Sequence, residues 1–230
     1  MATSRFPNPI FVAIDTPDLG RALALAKAVK PHVGGLKVGL EFLTAQGPDG
    51  VRAIAELGLP VFADTKFHDI PNTVAGAARE IAKLGISIFN IHASGGEAML
   101  RAAREAAAHV KLIAVTVLTS LDEKDLDAVG QKGPAADQVV RLASLAQRSG
   151  LDGVVCSAWE IAPLRKALGP DFLLVVPGIR PAGSDLADQR RVMTPRDAAR
   201  AGADILVIGR PISAAADPAE AARAIAASLE

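Results

Sequence analysis

Eight short apolar runs, each followed by a longer alanine-rich stretch, constrain this chain more than any other feature. The runs are "IFVAID" (10–15), "GLKVG" (35–39), "VFADTK" (61–66), "SIFNIH" (87–92), "LIAVTVL" (112–118), "GVVCS" (153–157), "FLLVV" (172–176) and "ILVIG" (205–209). Most are near-continuous apolar segments rather than alternations, the pattern of strands covered on both faces of a parallel sheet. The stretches between them carry helical spacing and helix punctuation. Asp18 stands where it can cap "LGRALALAKAVK", and Val139, Leu142 and Leu145 share one face of "AADQVVRLASLAQRSG", which stops at Gly150. Thr194-Pro195 and Asp217-Pro218 each read as a cap followed by proline at the first helical position. Strand–helix alternation of this kind means parallel strands joined by crossover helices. Eight repeats in 230 residues predict an α/β fold of the closed (β/α)8 TIM barrel type, a single domain over residues 1–230. The open doubly wound sheet is the structural alternative, but "IDTPDLG" after the first run lacks its G-x-G-x-x-G turn.

Composition narrows the function classes. Formal net charge is zero, so no general attraction to nucleic acid or to an acidic membrane is implied. Aromatic residues make up 3% with no Tyr, which argues against a stacking surface for single-stranded nucleic acid. Cys156 is the single cysteine, which excludes an internal disulfide framework and a cysteine-built metal site; its setting in "DGVVCSA" reads as a buried, inert thiol. The first residues, "MATSRFPNP", lack the apolar segment of a signal peptide, and no apolar run reaches the ~20 residues that span a bilayer. The expectation is a cytoplasmic protein without a membrane or nucleic-acid partner.

Polar residues collect at the C-terminal ends of the expected strands, where the catalytic groups of a barrel belong. Asp15 ends the first, Lys37 lies in the second, Asp64 and Lys66 in the third, and Asn90 and His92 end the fourth. Thr119 and Ser120 follow the fifth, Gly178 and Arg180 the seventh, Gly209 and Arg210 the eighth. In "VFADTKFHDIPNT" (61–73), Asp64 and Lys66 are two apart and so share one side of a strand with Phe62. If that side is the interior, two opposite charges sit at the barrel mouth, within reach of Lys37. Asp69 lies past the strand, before Ile70-Pro71, where the third helix should begin. Spacing alone leaves other readings open. Asp69 could only cap that helix, Asp64–Lys66 could be a structural ion pair, and His68 and His92 could be structural hydrogen-bonding residues. Asp64, Asp69 and His92 could bind a metal, although lysines among the carboxylates would compete with the cation.

The opposite side of the mouth reads as an anion site. "VVPGIRP" and "VIGRP" each follow a strand with glycine and then supply Arg180 or Arg210. Glycine lets backbone N–H groups approach an anion, and a guanidinium pairs with phosphate. Loops after strands seven and eight are the usual phosphate site of this architecture. The segment "PGIRPAGSDLADQRRVM" (177–193) is long for a strand-to-helix connection and reads as a lid. Pattern alone therefore predicts a barrel enzyme that acts on a phosphorylated small molecule through a Lys/Asp cluster.

These segments together resemble the orotidine 5'-phosphate decarboxylase family, in its bacterial form, and the resemblance runs essentially end to end. The family's D-x-K-x-x-D-I-P-x-T is present as Asp64, Lys66, Asp69, Ile70, Pro71 and Thr73. The accompanying segments "AIDTPD", "LKVGLEFLTAQGP", "NIHASGG", "AVTVLTSLDE", "VPGIRP", "DQRRVMTP" and "IGRPI" are present too. The resemblance implies a homodimeric carboxy-lyase, free of cofactor and metal, that converts orotidine 5'-phosphate to UMP and CO2, the last step of de novo pyrimidine (UMP) biosynthesis. It also implies roles. Lys66 would protonate C6, and Asp64 would sit against the substrate carboxylate. Lys37 would bridge the ribose hydroxyls and the carboxylate network, and Asp15 would bind ribose. Asp69 and Thr73 would enter from the other subunit, with Ile70 and Pro177 also in the substrate site. Thr119 and Ser120 would lie along the pyrimidine. Gln189 and Arg210 would hold the phosphate, with Gly209 donating its N–H and Arg180 reaching it from the lid loop.

The implied chemistry makes sense of the lysine. Loss of CO2 from C6 leaves an electron pair in the ring plane, where the pyrimidine π-system cannot delocalise it. The barrier must fall through electrostatics, and an ammonium beside C6 both stabilises the carbanion and supplies its proton. Two alternatives share part of the pattern. Mg-dependent sugar-phosphate decarboxylases or aldolases of the same barrel superfamily share D-x-K-x-x-D but not the Ile70–Thr73 continuation. A non-catalytic nucleotide-binding barrel would have no need of Lys66.

Overall fold

The structure is a computed structural model that describes residues 6–131, 133–181 and 193–229. Its strands are β1 (Ile10–Ile14), β2 (Gly35–Val38), β3 (Val61–Phe67), β4 (Ile88–His92), β5 (Lys111–Val115), β6 (Gly153–Val155), β7 (Leu173–Val176) and β8 (Ile205–Ile208). The helices are α1 (Leu19–Val29), α2 (Leu40–Ala55), α3 (Pro71–Ile81), α4 (Gly96–Ala106), α5 (Glu123–Ala128), α6 (Ala135–Arg148), α7 (Ile161–Leu168), α8 (Pro195–Ala201), α9 (Arg210–Ser213) and α10 (Pro218–Ala227). Each strand pairs in parallel with the next, and β1 pairs with β8, so the sheet closes into a barrel in chain order.

The near-continuous apolar strands are buried on both faces for the reason the pattern implied. Ile10, Val12 and Ile14 point outward into the layer beneath the helices, while Phe11 and Ala13 point inward with Phe62, Ile88, Ile113, Val175 and Ile205. Each such side chain contributes about 1.5–3 kcal/mol when fully buried, so both layers are needed to close the barrel. Phe11 stands in register with Gly35, where an added Cβ would lie 2.4 Å from the Phe11 ring. Only glycine lets that ring fill the interior.

Helix starts follow local chemistry. The Asp18 carboxylate accepts from Arg21 N, the Thr194 hydroxyl from Asp197 N and the Asp217 carboxylate from Glu220 N. The cap position of α3 is Ile70, without a side-chain cap bond, and Pro71 opens the helix with no N–H to satisfy. Asp69 instead accepts from Ile70 N at 2.6 Å. Two strands stop two or three residues before their apolar runs do. β5 ends at Val115 rather than 118, and β6 at Val155 rather than 157, because Val115↔Val155 is the last pair between them. Beyond it the Thr116 hydroxyl donates to Val155 O and the chain leaves the sheet over the barrel mouth.

The N-terminal end of the barrel is tied by two similar latches. The Asp152 carboxylate, just before β6, accepts from Leu112 N of β5 at 2.8 Å and from Arg104 of α4 at 2.7 Å. The Asp204 carboxylate, just before β8, accepts from Leu174 N of β7 at 2.7 Å and from Arg165 of α7 at 2.5 Å.

Candidate active site

The charged groups of β3 owe their arrangement to a local irregularity. The register between β3 and β4 shifts between Ala63 and Phe67, and Lys66 has φ +50°, alone among the described non-glycine residues in the left-handed region. That conformation costs a lysine roughly 1–2 kcal/mol, so the surroundings must hold it. They do so through Asn90 of β4, whose amide oxygen accepts from Lys66 N at 2.7 Å. The Lys66 ammonium donates to Asp64 Oδ1 at 2.6 Å, and Asn90 Nδ2 donates to the same oxygen at 2.7 Å. Thr65, facing the other way, donates to Asn90 O at 2.6 Å and closes the tie between the strands.

A second ion pair joins Lys37 of β2 to Asp15, which follows β1, at 2.8 Å. Lys37 is buried and the Asp15 side chain is 52% exposed, so the pair sits at the boundary between the barrel interior and solvent. The two pairs face two adjoining cavities. The larger, about 490 Å³, is lined by Asp15, Lys37, Gly178, Arg180, Gly209, Arg210 and Ser213. The smaller, about 180 Å³, has Asp64 and Lys66 on one side and Phe62, Val115, Val155 and Val175 as apolar walls. Pro177 and Val207 line both. One compartment is cationic and open, the other apolar with a single ion pair. A molecule with a phosphate at one end and a flat ring at the other would span them.

The structure places the sequence-derived candidates in three groups. Asp15, Lys37, Pro177, Arg180, Gly209 and Arg210 meet at the larger cavity, and Asp64, Lys66 and Thr119 at the smaller. Asp69, Ile70 and Thr73 are exposed and line neither, and Ser120, next to Thr119, also lines neither. Gln189, and with it residues 182–192 of the expected lid, lies outside the described residues. Asn90 was recognised in the sequence only as a polar strand end, and its link to both Asp64 and Lys66 was missed. Its signal was the inward period of β4, in which Ile88, Asn90 and His92 share one side.

Electrostatics separate two nearby groups. Burial holds the His92 imidazole below its ordinary range, and the neighbouring His68 and Lys66 push the same way against Asp64. The His68 and His92 rings stack at 5.6 Å between centroids. Burial, and next Glu160, pushes the Cys156 thiol well above its usual range, consistent with an inert thiol. Among the described residues no group of three or more His, Cys, Asp and Glu side chains could hold a metal ion, so Asp64, Asp69 and His92 do not form such a site.

Comparison with known proteins places this geometry in a family. The model of the "Orotidine 5'-phosphate decarboxylase / HUMPS family" matches residues 8–225. The chain belongs to this family. Orotidine 5'-phosphate decarboxylase of Paramagnetospirillum magneticum is 55% identical over 231 residues, covering 96% of this chain and 98% of that protein. The enzyme of the same name from Moorella thermoacetica is 57% identical, covering 97% and 92%. Among solved structures, orotidine 5'-phosphate decarboxylase from Lactobacillus acidophilus superposes with a TM-score of 0.87 at 37% identity, covering 97% of this chain and 100% of that one. The enzyme from Pyrococcus horikoshii OT3 gives 0.80 at 27%, covering 96% and 98%. For a member of the orotidine 5'-phosphate decarboxylase / HUMPS family, the bulge in β3 falls within the D-x-K-x-x-D segment itself.

Proposed function

We propose that this chain is an orotidine 5'-phosphate decarboxylase, a carboxy-lyase that forms UMP and CO2 in pyrimidine biosynthesis. The observation that carries the mechanism is the Lys66–Asp64 pair at the apolar cavity, next to a cationic cavity of phosphate-binding character. The pyrimidine occupies the smaller cavity along Thr119, and the phosphate occupies the larger one with Arg180, Arg210 and the Gly209 N–H. Ribose lies between them, against Asp15 and Lys37. Asp64 then faces the substrate carboxylate, and Lys66 lies beside C6.

Magnitudes assign the work. Two like charges about 4 Å apart at an effective dielectric near 20 repel by ~4 kcal/mol. Enzymes typically lower barriers by roughly 8–23 kcal/mol, so repulsion from Asp64 is a minor share. Stabilisation of the C6 carbanion by the Lys66 ammonium, and binding energy from the remote phosphate, supply the rest. Lys66 then transfers its proton to C6.

The exposed rim fits a homodimer. Asp69, Ile70 and Thr73 lie outside both cavities of their own chain, and Ile70 is 68% exposed. A second copy packed on this rim would carry them into the neighbouring site. No helix among the described residues is long and apolar enough to cross a membrane, and the cytoplasm is the proposed setting.

The test follows pyrimidine absorbance after addition of orotidine 5'-phosphate, with and without a chelator. Turnover unaffected by the chelator is expected; a requirement for Mg would favour the sugar-phosphate decarboxylase or aldolase alternative. Lys66→Ala should still bind UMP while turnover collapses by 100-fold or more, at least the ~10²–10⁴ ascribed to a positioned proton donor. Retained turnover would remove Lys66 from the mechanism.

A further inference from the structure

We propose that Asn90 is a positioning residue of the decarboxylation, which aims the Lys66 ammonium and the Asp64 carboxylate by tying β4 to the bulge in β3. The assignment rests on the function proposed above. Asn90 is fully buried and makes two side-chain bonds, each admitting one sense only. The Lys66 N–H can only donate, so it requires the amide oxygen. The Asp64 carboxylate can only accept, so it requires the amide nitrogen. A carboxamide supplies both from one plane at fixed spacing. A carboxylate would offer two acceptors, and an apolar side chain neither.

The consequence falls on the reacting groups. A lysine side chain takes its direction from its Cα–Cβ bond, and at residue 66 that bond is set by the left-handed backbone. Without the Asn90 acceptor, Lys66 N is left unpaired in a largely buried place, and the strand is free to relax to extended geometry. The ammonium would then leave its line toward C6. Without the Asn90 donor, Asp64 is held by Lys66 alone and rotates with it. Misplacement by about 1 Å costs on the order of 100-fold in rate. Binding of the phosphate end does not pass through these bonds, so the loss belongs to turnover rather than affinity.

The test uses the full-length chain and two substitutions, Asn90→Leu and Asn90→Asp. Measurements are kcat for orotidine 5'-phosphate between pH 6 and 8, UMP affinity by calorimetry, and thermal unfolding as a control on folding. Asn90→Leu should lower kcat about 10- to 100-fold while UMP affinity stays close to wild type. Asn90→Asp gives a sharper outcome. The introduced carboxyl can accept from Lys66 N at any pH but can donate to Asp64 only when protonated. It is faced by Asp64 and Lys66 from β3, by His92 on its own strand with His68 stacked beyond, and by apolar Ile113 in register on β5. Its kcat should therefore rise relative to wild type as pH falls from 8 to 6, a rescue that a space-filling role would not produce.

Wild-type kcat in Asn90→Leu, or an Asn90→Asp profile parallel to wild type, would overturn the assignment. So would kcat and UMP affinity falling together with the folded fraction. An inactive wild-type chain would overturn both this assignment and the proposed function; an active wild type with an equally active Asn90→Leu overturns only this one.

Discussion

At residue scale, the backbone of Lys66 turns left-handed and its ammonium meets Asp64, while Arg210 lines the adjoining cavity and not the one that holds Lys66. That separation makes the phosphate contact testable apart from the chemistry. Arg210→Ala removes a charge-assisted bond worth ~1.5–3 kcal/mol, so kcat/KM for the nucleotide should fall about 10- to 100-fold. The bare nucleoside should be little affected, and an equal loss on both, in steady-state kinetics, would contradict the phosphate role. His92 gives a prediction in pH. Its folded-state pKa lies below 6.5, lowered first by burial and then by His68 and Lys66. Between that lowered value and 6.5 the unfolded chain binds more protons than the folded one, so stability rises with pH across this window and is lost as pH falls. His92→Gln should flatten that slope in thermal midpoints measured against pH; an unchanged slope would clear His92.

At the scale of elements, strand ends decide what the site can contain. β5 stops at Val115 when its pairing with β6 runs out, and Thr119 reaches the smaller cavity from the turn beyond. The sequence shows an apolar run through 118 and could not place that end, because pairing belongs to two segments about forty residues apart. The N-terminal end is governed by the latches. Asp204→Ala would leave Arg165 and Leu174 N without their shared acceptor, and breaking a buried pair of this kind costs roughly 3–5 kcal/mol. In a chain of this length that lowers the thermal midpoint by about 10 °C. Asp152→Ala should cost less, since Asp152 is more exposed, at 32% against 12% for the side chain of Asp204. Calorimetry on both variants checks the order, and kcat should stay near wild type because both latches lie at the end of the barrel away from the cavities.

For the whole molecule, closure of β1 onto β8 brings Asp15, near the start of the chain, beside Gly209, near its end. The dimer proposal belongs at this scale. Lys66→Ala and Asp69→Ala chains, each inactive alone, should regain activity when mixed and allowed to exchange subunits. Each mixed dimer then holds one site with both wild-type residues, about a quarter of all sites at equal mixing. No recovery in assays of the mixture would place Asp69 in its own chain's chemistry. The barrel class, its strand and helix order, the caps at Asp18, Thr194 and Asp217, and the candidacy of Asp64 and Lys66 were determined by the sequence alone. They depend on period, local hydrogen bonds and spacing within one segment. Tertiary structure alone decided that Asn90 bonds both groups, that Lys37 pairs with Asp15, and that Asp69, Ile70 and Thr73 stand outside their own cavities. Those facts depend on the register between neighbouring strands and on the bulge in β3, where the step from Ala63 to Phe67 is matched by only Phe89 to Ile91 on β4. No single segment carries that information, because register is a property of two strands at once.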